Sequence, residues 1–292
     1  MKHQLLLTGA IILTVVLWAS AFVGIRAALV AYSPIHLALL RFLVASVILL
    51  IYAMIQRVPR PKPKDFPLIA LAGFIGITVY NLALNAGEQT VTAGAASLLV
   101  NTAPIWTTLL ATTFLGERSS WQGWLGIAIS FTGAAILALG EAGDMQLNWG
   151  AGLVLLAAFA QAVYFVISKP ALQRYRPIQF TIYALLSGTV FLLPFFPGLL
   201  STVSAAPSAA TLAVIYLGIG PAALAYFTWS YVLANIPASQ ATSFLYFVPV
   251  IAIVIAWFWL QEIPSLTSLL GGGLAILGVV LVNFQQRQKS SG

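Results

Sequence analysis

The sequence has 292 residues, of which 61% are hydrophobic and only 7% charged, with a formal net charge of +7. A soluble domain usually has roughly 45–50% apolar and about 25% charged residues, so a bilayer is the solvent that fits this chain. The sequence contains no cysteine, which excludes disulfides, thiolate nucleophiles and cysteine-ligated metals.

Ten apolar segments are long enough to cross a bilayer, which takes about 20 residues of helix. Proline, glycine or charged residues separate them, as short loops require. The sequence therefore predicts an all-α integral membrane protein with ten transmembrane helices. In chain order, the predicted spans 1 to 10 are Leu5–Tyr32, Pro34–Met54, Phe66–Ala86, Ala93–Leu115, Trp121–Leu139, Trp149–Ser168, Ile178–Phe196, Ala209–Val232, Ala238–Leu260 and Pro264–Phe284.

The basic residues segregate to one side of the membrane in this arrangement. Of the 13 lysines and arginines, only Arg26 and Arg41 fall within predicted spans, and all the others lie on the side of the amino terminus. The positive-inside rule then places both termini in the cytoplasm. The basic residues act as topology determinants, so a nucleic-acid partner is not expected.

The amino-terminal segment has some features of a cleaved signal peptide. Lys2 precedes an apolar run, and Ala19-Ser20-Ala21 resembles a cleavage site. The apolar run continues to Tyr32, however, and its loss would spoil the charge segregation. We expect the segment to be retained as span 1.

The two halves of the chain carry an internal repeat, divided at the acidic stretch 140–144. The sequence predicts five-helix repeats at residues 1–140 and 141–292. Five helices is an odd number, so the second repeat must be inverted in the membrane, as is usual in secondary transporters. At an offset of 145 residues, Pro104 falls on Pro249, Glu117 on Glu262 and Gly133 on Gly278; at 143, Phe22 falls on Phe165 and Pro34 on Pro177.

Several motifs resemble one family in their order and spacing. They are Leu17 to Phe22 in span 1, Leu40-Arg41-Phe42 in span 2, Thr92 to Ala95 with Pro104 in span 4, and the two turns at Leu115-Gly116-Glu117 and Leu260-Gln261-Glu262. This pattern resembles the drug/metabolite transporter superfamily, specifically its ten-helix EamA-type exporters. The resemblance implies export of amino acids or other small metabolites across the bacterial inner membrane, by a monomer without cofactors. Within the family it is most similar to the aromatic amino-acid exporter branch.

Polar and aromatic side chains recur at helical spacing in several spans. Polar groups inside hydrocarbon are costly, so each marks a pathway, a packing contact or a bound ion. If they face inward, they form a cavity suited to a solute with an apolar body and a polar head. The candidate substrate-binding residues are Trp18, Phe22, Tyr80, Asn81, Asn85, Ser97, Asn101, Gln161, Tyr164, Tyr226, Thr242 and Tyr246.

These polar residues have a second interpretation. Serine, threonine and asparagine also join neighbouring helices without contacting any solute. Arg26 is able to snorkel outward, and an ion pair with Glu88 is conceivable for Arg26 or Arg41. Glu117 and Glu262 lie at equivalent span ends, where capping or gate closure is expected rather than solute binding.

Glycine and proline interrupt spans 3 and 8 at corresponding places. The 145-residue offset puts Gly73 on Gly218 and Gly76 on Pro221. Interrupted helices in both halves point to kinks near the transport site, which are either bending points for gating or static kinks. The candidate gating residues are Gly73, Gly218, Pro221, Pro104 and Pro249.

The chain lacks the residues that other mechanisms need. It has no Gly-x-Ser-x-Gly elbow, histidine cluster or phosphate-binding loop, so we expect neither an enzyme nor a metal site nor a nucleotide-driven pump. No acidic residue is predicted at mid-membrane depth, which favours uncoupled export by alternating access. A proton-coupled drug or multidrug exporter, a channel and an intramembrane enzyme are the alternatives.

Overall fold

The computed structural model describes residues 2–114, 121–140, 148–235 and 244–290, and within these ranges the chain is helical, with no strand. Seven of the described helices are long and apolar enough to cross a membrane: Gln4–Leu29, Pro34–Ile55, Pro63–Gly87, Ala93–Leu110, Trp149–Leu172, Pro177–Phe195 and Ser208–Val232. Three shorter apolar helices are Trp124–Ile136, Phe244–Leu260 and Leu266–Gly278. Each predicted span overlaps one of these helices. The all-helical membrane class is confirmed.

The described residues form fourteen α-helices, which we number in chain order. They are α1 (Lys2–Leu29), α2 (Pro34–Ile55), α3 (Phe66–Gly73), α4 (Tyr80–Gly87), α5 (Ala93–Val100), α6 (Ala103–Phe114), α7 (Trp121–Gly140), α8 (Trp149–Leu172), α9 (Pro177–Leu192), α10 (Leu199–Ala205), α11 (Ser208–Leu217), α12 (Ala225–Asn235), α13 (Phe247–Leu260) and α14 (Leu266–Ser290). Two π-helical segments, π1 (Phe74–Val79) and π2 (Gly218–Leu224), and three 3-10 turns complete them. The linker residues 141–144, the turn 116–118 and Thr242 lie outside the described residues.

Side-chain caps fix where several helices begin. Ser33 precedes α2 and accepts a hydrogen bond from the backbone N–H of His36 at 3.3 Å, while Pro34 takes the first helical position. Thr92 caps α5 in the same way. These contacts satisfy backbone donors that the first turn of a helix leaves free.

A short helix that was not predicted, α10, fills the connection between spans 7 and 8. It follows Gly198, whose φ of +85° lies in the left-handed region that glycine adopts without strain. The connection is therefore an ordered structure rather than a simple loop.

Spans 3 and 8 are interrupted at corresponding positions. Span 3 runs through α3, π1 and α4, and span 8 through α11, π2 and α12. Shifting π1 by 145 residues places it on residues 219–224, the last six residues of π2. In π2, Pro221 has no N–H to donate to the helical ladder, which is a local cause of the distortion.

Span 4 is also discontinuous, because Asn101 and Thr102 form a turn between α5 and α6. In the described part of span 9, the 3-10 turn Phe244–Tyr246 leads directly into α13. The interruptions of spans 3, 4 and 8 lie within apolar segments, where free backbone groups are tolerated only if protein or a cavity surrounds them.

The first helix of each half packs mainly against helices of the other half. Helix α1 packs mainly against α11, α12 and α13 of the second half, whereas α8 packs mainly against α4, α5 and α6 of the first. The largest cluster of buried apolar side chains accordingly draws on both halves. The core is thus shared between the halves rather than divided between them.

Small residues bring α7 and α14 into close contact. The Oγ of Ser130 donates to the carbonyl oxygen of Ala275 at 2.7 Å. A Cβ added at Gly133 would lie 2.3 Å from the backbone nitrogen of Ala275, and one at Gly278 would lie 2.4 Å from the carbonyl oxygen of Gly126. Backbones approach this closely in membranes only where side chains are small.

Candidate functional site

A cavity lies between the two halves of the chain, beside the interruptions of spans 3, 4 and 8. Like most small-molecule sites, it is lined mainly by apolar and aromatic side chains with a few polar groups. The lining side chains come from both halves of the chain: Trp18, Ala21, Phe22 and Ile25 of α1, Arg41 of α2, Tyr80 and Leu84 of α4, Ser97, Val100, Asn101, Ala103 and Pro104 of span 4, Gln161 and Phe165 of α8, Tyr226 of α12, and Leu245 and Val248 of span 9.

Aromatic rings form one wall of the cavity. The indole of Trp18 lies 5.7 Å from the ring of Tyr226, in an edge-on arrangement, and 5.2 Å from the ring of Trp229. Its Nε1 donates to the carbonyl oxygen of Pro221 in π2 at 3.2 Å. The irregular segment therefore holds the ring that lines the cavity.

Another part of the wall is polar. The side-chain amide of Asn101, in the turn between α5 and α6, donates to the carbonyl oxygen of Leu245 at 3.1 Å. Leu245 lies in the 3-10 turn that leads into α13, so this bond joins the interruption of span 4 to the second half of the chain. The Oγ of Ser97 is bonded to the carbonyl oxygen of Gly94 in its own helix.

The structure brings together seven of the twelve predicted substrate-binding residues along the cavity: Trp18, Phe22, Tyr80, Ser97, Asn101, Gln161 and Tyr226. Of the predicted gating residues, Pro104 also lines the cavity, Pro221 binds Trp18, and Pro249 is buried in α13. Thr242 lies outside the described residues.

Four of the predicted residues lie away from the cavity. Asn81 donates to the carbonyl oxygen of Ile77 in the preceding turn at 2.7 Å, and Asn85 donates to that of Pro34 at 3.1 Å. Both amides thus bond to backbone carbonyls, one within its own span and one in a neighbouring helix. This agrees with the second interpretation of the polar residues in the spans.

The two tyrosines outside the cavity fill gaps between helices. The ring of Tyr164 lies against Gly76 in π1, where a Cβ would come within 2.3 Å of it, and stacks on Phe180 at 6.3 Å. Tyr246 packs against the small cluster around Ile105 and Ile127.

The predicted gating glycines are sites of close helix contact. A Cβ on Gly73 would lie 2.5 Å from the carbonyl oxygen of Ala184 in α9. A Cβ on Gly218 would lie 2.7 Å from the carbonyl oxygen of Arg41 in α2. Each glycine precedes or begins a π segment, so each interrupted helix is pressed against a neighbour at its point of irregularity.

Nine lining residues were not predicted as site residues, and all but Arg41 and Phe165 have aliphatic side chains. Arg41 is 4% exposed and lies about two turns inside α2. A charged residue at membrane depth is in itself a sign of function, and this sign was available in the sequence. Phe165 is the repeat counterpart of Phe22, so the 143-residue offset also pointed to it.

An ionic network lies next to one end of the cavity lining. Arg26 donates from Nε to Oε1 of Glu262 at 2.9 Å and from Nη1 to the carbonyl oxygen of Glu88 at 2.7 Å. Oε2 of Glu262 accepts from the backbone N–H of Ala93 at 3.0 Å. The ion pair with the Glu88 carboxylate that the sequence left open for Arg26 or Arg41 is not formed, and Arg26 pairs with Glu262 instead.

This network lies one helical turn beyond the cavity lining. Ile25, Leu84 and Ser97 line the cavity. Arg26 follows Ile25 in α1, Glu88 lies four residues after Leu84 at the end of α4, and Ala93 lies four residues before Ser97 at the start of α5. Gln261 ends α13 with a φ of +55°, and this left-handed turn redirects the chain before Glu262.

A second polar cluster joins the halves at the other end of span 3. Asp65 accepts hydrogen bonds from Nη1 of Arg174 at 2.5 Å and from the hydroxyl of Tyr175 at 2.6 Å. The bond to Asp65 raises the pKa of the Tyr175 phenol, because deprotonation would place two negative charges in contact. This cluster secures the loop before α3 to the loop after α8.

No group of three or more histidine, aspartate or glutamate side chains among the described residues could hold a metal ion. The described site thus consists of aromatic rings, neutral amides and hydroxyls, and one guanidinium.

Comparison with known families decides the class of this fold. The profile of the EamA-like transporter family matches the sequence twice, at residues 7–139 and again at residues 148–284. The chain belongs to this family. The resemblance to EamA-type members of the drug/metabolite transporter superfamily is therefore confirmed, and the protein is a multi-pass membrane transporter.

Individual relatives carry transporter names. A protein of Streptantibioticus cattleyicolor, named a probable terminal-alkyne amino-acid exporter, is 44% identical over 94% of this chain and 92% of its own. The transporter YdfC of Bacillus subtilis is 44% identical over 90% of this chain and 86% of its own. The inner membrane transporter YedA of Escherichia coli is 29% identical over 96% of this chain and 92% of its own.

A solved crystal structure shares the fold. It is 18% identical in sequence, has a TM-score of 0.66, and the match covers 97% of this chain and 98% of that chain. The likeness therefore extends over both halves.

Proposed function

We propose that the protein is a secondary transporter that exports small amphipathic metabolites, with aromatic amino acids as the first substrates to test. The observation that carries the proposal is a cavity that both halves of the chain line, beside the interruptions of spans 3, 4 and 8. Discontinuous helices at a mid-membrane cavity are the usual construction of solute sites in secondary transporters.

The proposal includes ten membrane crossings in two inverted repeats, residues 1–140 and 141–292, with both termini cytoplasmic. Seven long and three shorter apolar helices among the described residues support the count. The two matches to the family profile and the correspondence of π1 with π2 support the repeat. A monomer in the bacterial inner membrane is the expected form.

Alternating access needs a closure on each side of the cavity. In the proposed orientation, Arg26 and Glu262 form the outer closure, and the Asp65 cluster lies on the cytoplasmic side. The interruptions that contain or adjoin Gly73, Gly218 and Pro221, together with Pro104 and Pro249, supply the places where spans bend between states.

The aromatic wall and the name of one relative support an amino-acid substrate. Trp18 and Tyr226 offer ring faces and edges to an apolar side chain, while Asn101 and Gln161 offer amides to a polar head. The relative from S. cattleyicolor is named for export of amino acids with a terminal alkyne, which are also amphipathic.

A proton-coupled drug or multidrug exporter is the second candidate, because of Glu88. Its side chain is fully buried, and neither carboxylate oxygen has a hydrogen-bond partner among the described residues. Buried acids of this kind carry protons in many transporters. Uncoupled export predicts that an imposed pH gradient leaves the initial rate unchanged. If the pH gradient accelerates export by the wild-type protein but not by the Glu88→Gln variant, proton coupling through Glu88 would be established.

Reconstitution in liposomes tests the proposed function. Proteoliposomes loaded with labelled phenylalanine, tryptophan, tyrosine, leucine or propargylglycine should lose label faster than loaded liposomes without protein. The export rate should saturate with substrate concentration, and the substrates should compete with one another. Trp18→Ala should weaken export, and Trp149→Ala, at a ring that is 81% exposed, should not. Non-saturable flux would indicate a channel, and chemical conversion of the solute would indicate an enzyme.

A further inference from the structure

Arg41 stands out as a buried charge that no carboxylate contacts among the described residues; its Cζ lies over the ring of Phe42, 5.4 Å from the ring centre. Its side chain lines the cavity with only 4% exposure, and its Nε and Nη1 have no hydrogen-bond partner among the described residues. The other arginines that reach into the protein differ in this respect. Arg26 is paired with Glu262, and Arg174 with Asp65.

The Phe42 ring offers the positive charge of Arg41 only a cation–π contact, and no ion pair is formed with a described carboxylate. Glu88 acts on it electrostatically, but forms no hydrogen bond with it. No aspartate or glutamate lines the cavity in the part of the chain that the structure describes. An unpaired guanidinium in a low-dielectric interior is costly, so the site favours the arrival of an anionic group.

The backbone at Arg41 is firmly positioned. Its carbonyl oxygen lies against Gly218 at the start of π2, with no room for a Cβ between them. The side chain therefore projects into the cavity from the point where α2 is pressed against the interrupted span 8. Tyr80 and Tyr226 line the cavity beside it and bring two further hydroxyl groups.

We propose that Arg41 binds the carboxylate of the transported solute. A guanidinium and a carboxylate match in geometry and form paired, charge-assisted hydrogen bonds. The aromatic wall around Trp18 then receives the apolar body. This inference rests on the proposed function and narrows it, since the site selects aromatic carboxylates, amino acids among them, and disfavours organic cations.

Binding to the purified full-length protein tests the assignment independently of transport. Four probes separate the two charges of an amino acid: L-phenylalanine, 3-phenylpropanoate with the carboxylate alone, 2-phenylethylamine with the amine alone, and L-phenylalaninamide with the carboxylate blocked. Wild type should bind L-phenylalanine and 3-phenylpropanoate about tenfold more tightly than 2-phenylethylamine and L-phenylalaninamide. A tenfold ratio of dissociation constants corresponds to about 1.4 kcal/mol. Calorimetry in detergent gives the four dissociation constants.

Variants at Arg41 locate the effect. Arg41→Gln should abolish the preference for the two carboxylates, and Arg41→Lys should retain part of it. Arg60→Gln, at an exposed arginine, is the matched control and should bind as wild type does. If Arg41→Gln fails to fold, the preference in wild type and its partial retention in Arg41→Lys still decide the question.

The outcomes separate this proposal from the proposed function. Equal binding of all four probes, a preference for the amine, or no binding of any probe would overturn the role of Arg41. Carboxylate binding that depends on Arg41, without flux in liposomes, would keep the assignment and refute amino-acid export. If Arg41→Gln exports amino acids as the wild type does, amino-acid export would stand and the role of Arg41 would be refuted.

Discussion

The Nε of Arg26 donates a hydrogen bond to Oε1 of Glu262 at 2.9 Å, across 236 positions of sequence. This contact joins the end of α1 to the turn after α13, one residue along α1 from the cavity lining at Ile25. In the proposed orientation it faces the periplasm. If the proposed transport holds, we expect this contact to break before a solute leaves the cavity on that side.

Removing this pair should open the outer end of the cavity. Because the chain has no native cysteine, Ser97→Cys introduces a single label site in the cavity wall. Combining it with Glu262→Gln should raise labelling by an impermeant maleimide in whole cells, since an ion pair that is partly open to solvent contributes about 1 kcal/mol. That corresponds to roughly a fivefold change in the open population. Arg60→Gln in the same background is the control, and equal labelling in both would exclude the closure.

The close contacts at Gly73 and Gly218 should make alanine costly at both positions. Overpacking of this kind typically destabilises by about 1–3 kcal/mol, which should lower the thermal midpoint in detergent. Gly9→Ala and Gly152→Ala are matched controls, because a Cβ at either would meet nothing within 4 Å. Equal thermal midpoints for all four alanine variants would show that the helices in contact at Gly73 and Gly218 move apart at little cost.

The cluster around Asp65 should depend on pH through Tyr175. Since the folded pKa of this phenol is raised, its contribution to stability is fully present below the unfolded value of about 10 and is lost as pH rises through the folded value. Tyr175→Phe should therefore melt below wild type at pH 8, and the difference should shrink above pH 10. A constant difference across that range would contradict this role of the hydroxyl.

The proposed topology places two exposed glutamines on opposite sides of the membrane. Gln89→Cys should react with an impermeant maleimide in intact cells, and Gln173→Cys only after permeabilisation. Trp149→Cys should behave like Gln89→Cys only if the shorter apolar helix Trp124–Ile136 crosses the membrane. Labelling of the cysteine at position 149 from the cytoplasmic side alone would reduce the number of crossings.

The positions of the helices were accessible from sequence because hydropathy and caps act locally. Ser33-Pro34 and Thr92 mark helix starts in the sequence and cap them in the structure. The interruptions were only partly accessible. Pro221 lies in one of them, and Pro104, in the first turn of α6, follows the turn at Asn101 and Thr102, but π1 contains no proline.

The site could be predicted only as far as helical periodicity reaches. Periodicity tells which residues share a face of a helix, but not what that face meets. Ser97 and Asn101 therefore line the cavity, whereas Asn81 and Asn85 bond to backbone carbonyls elsewhere. The pairing of Arg26 with Glu262 joins residues far apart in the sequence, so no local pattern contains it.

The exchange of partners between the halves sets an order of assembly. Helix α1 is synthesised first, yet its main neighbours α11, α12 and α13 are synthesised last. During biosynthesis the first helix must therefore remain in lipid, or on an insertion factor, until nearly the whole chain has emerged. A ribosome stalled at mid-chain would hold a set of helices without its central member in place, and such a product is a natural target for membrane proteases.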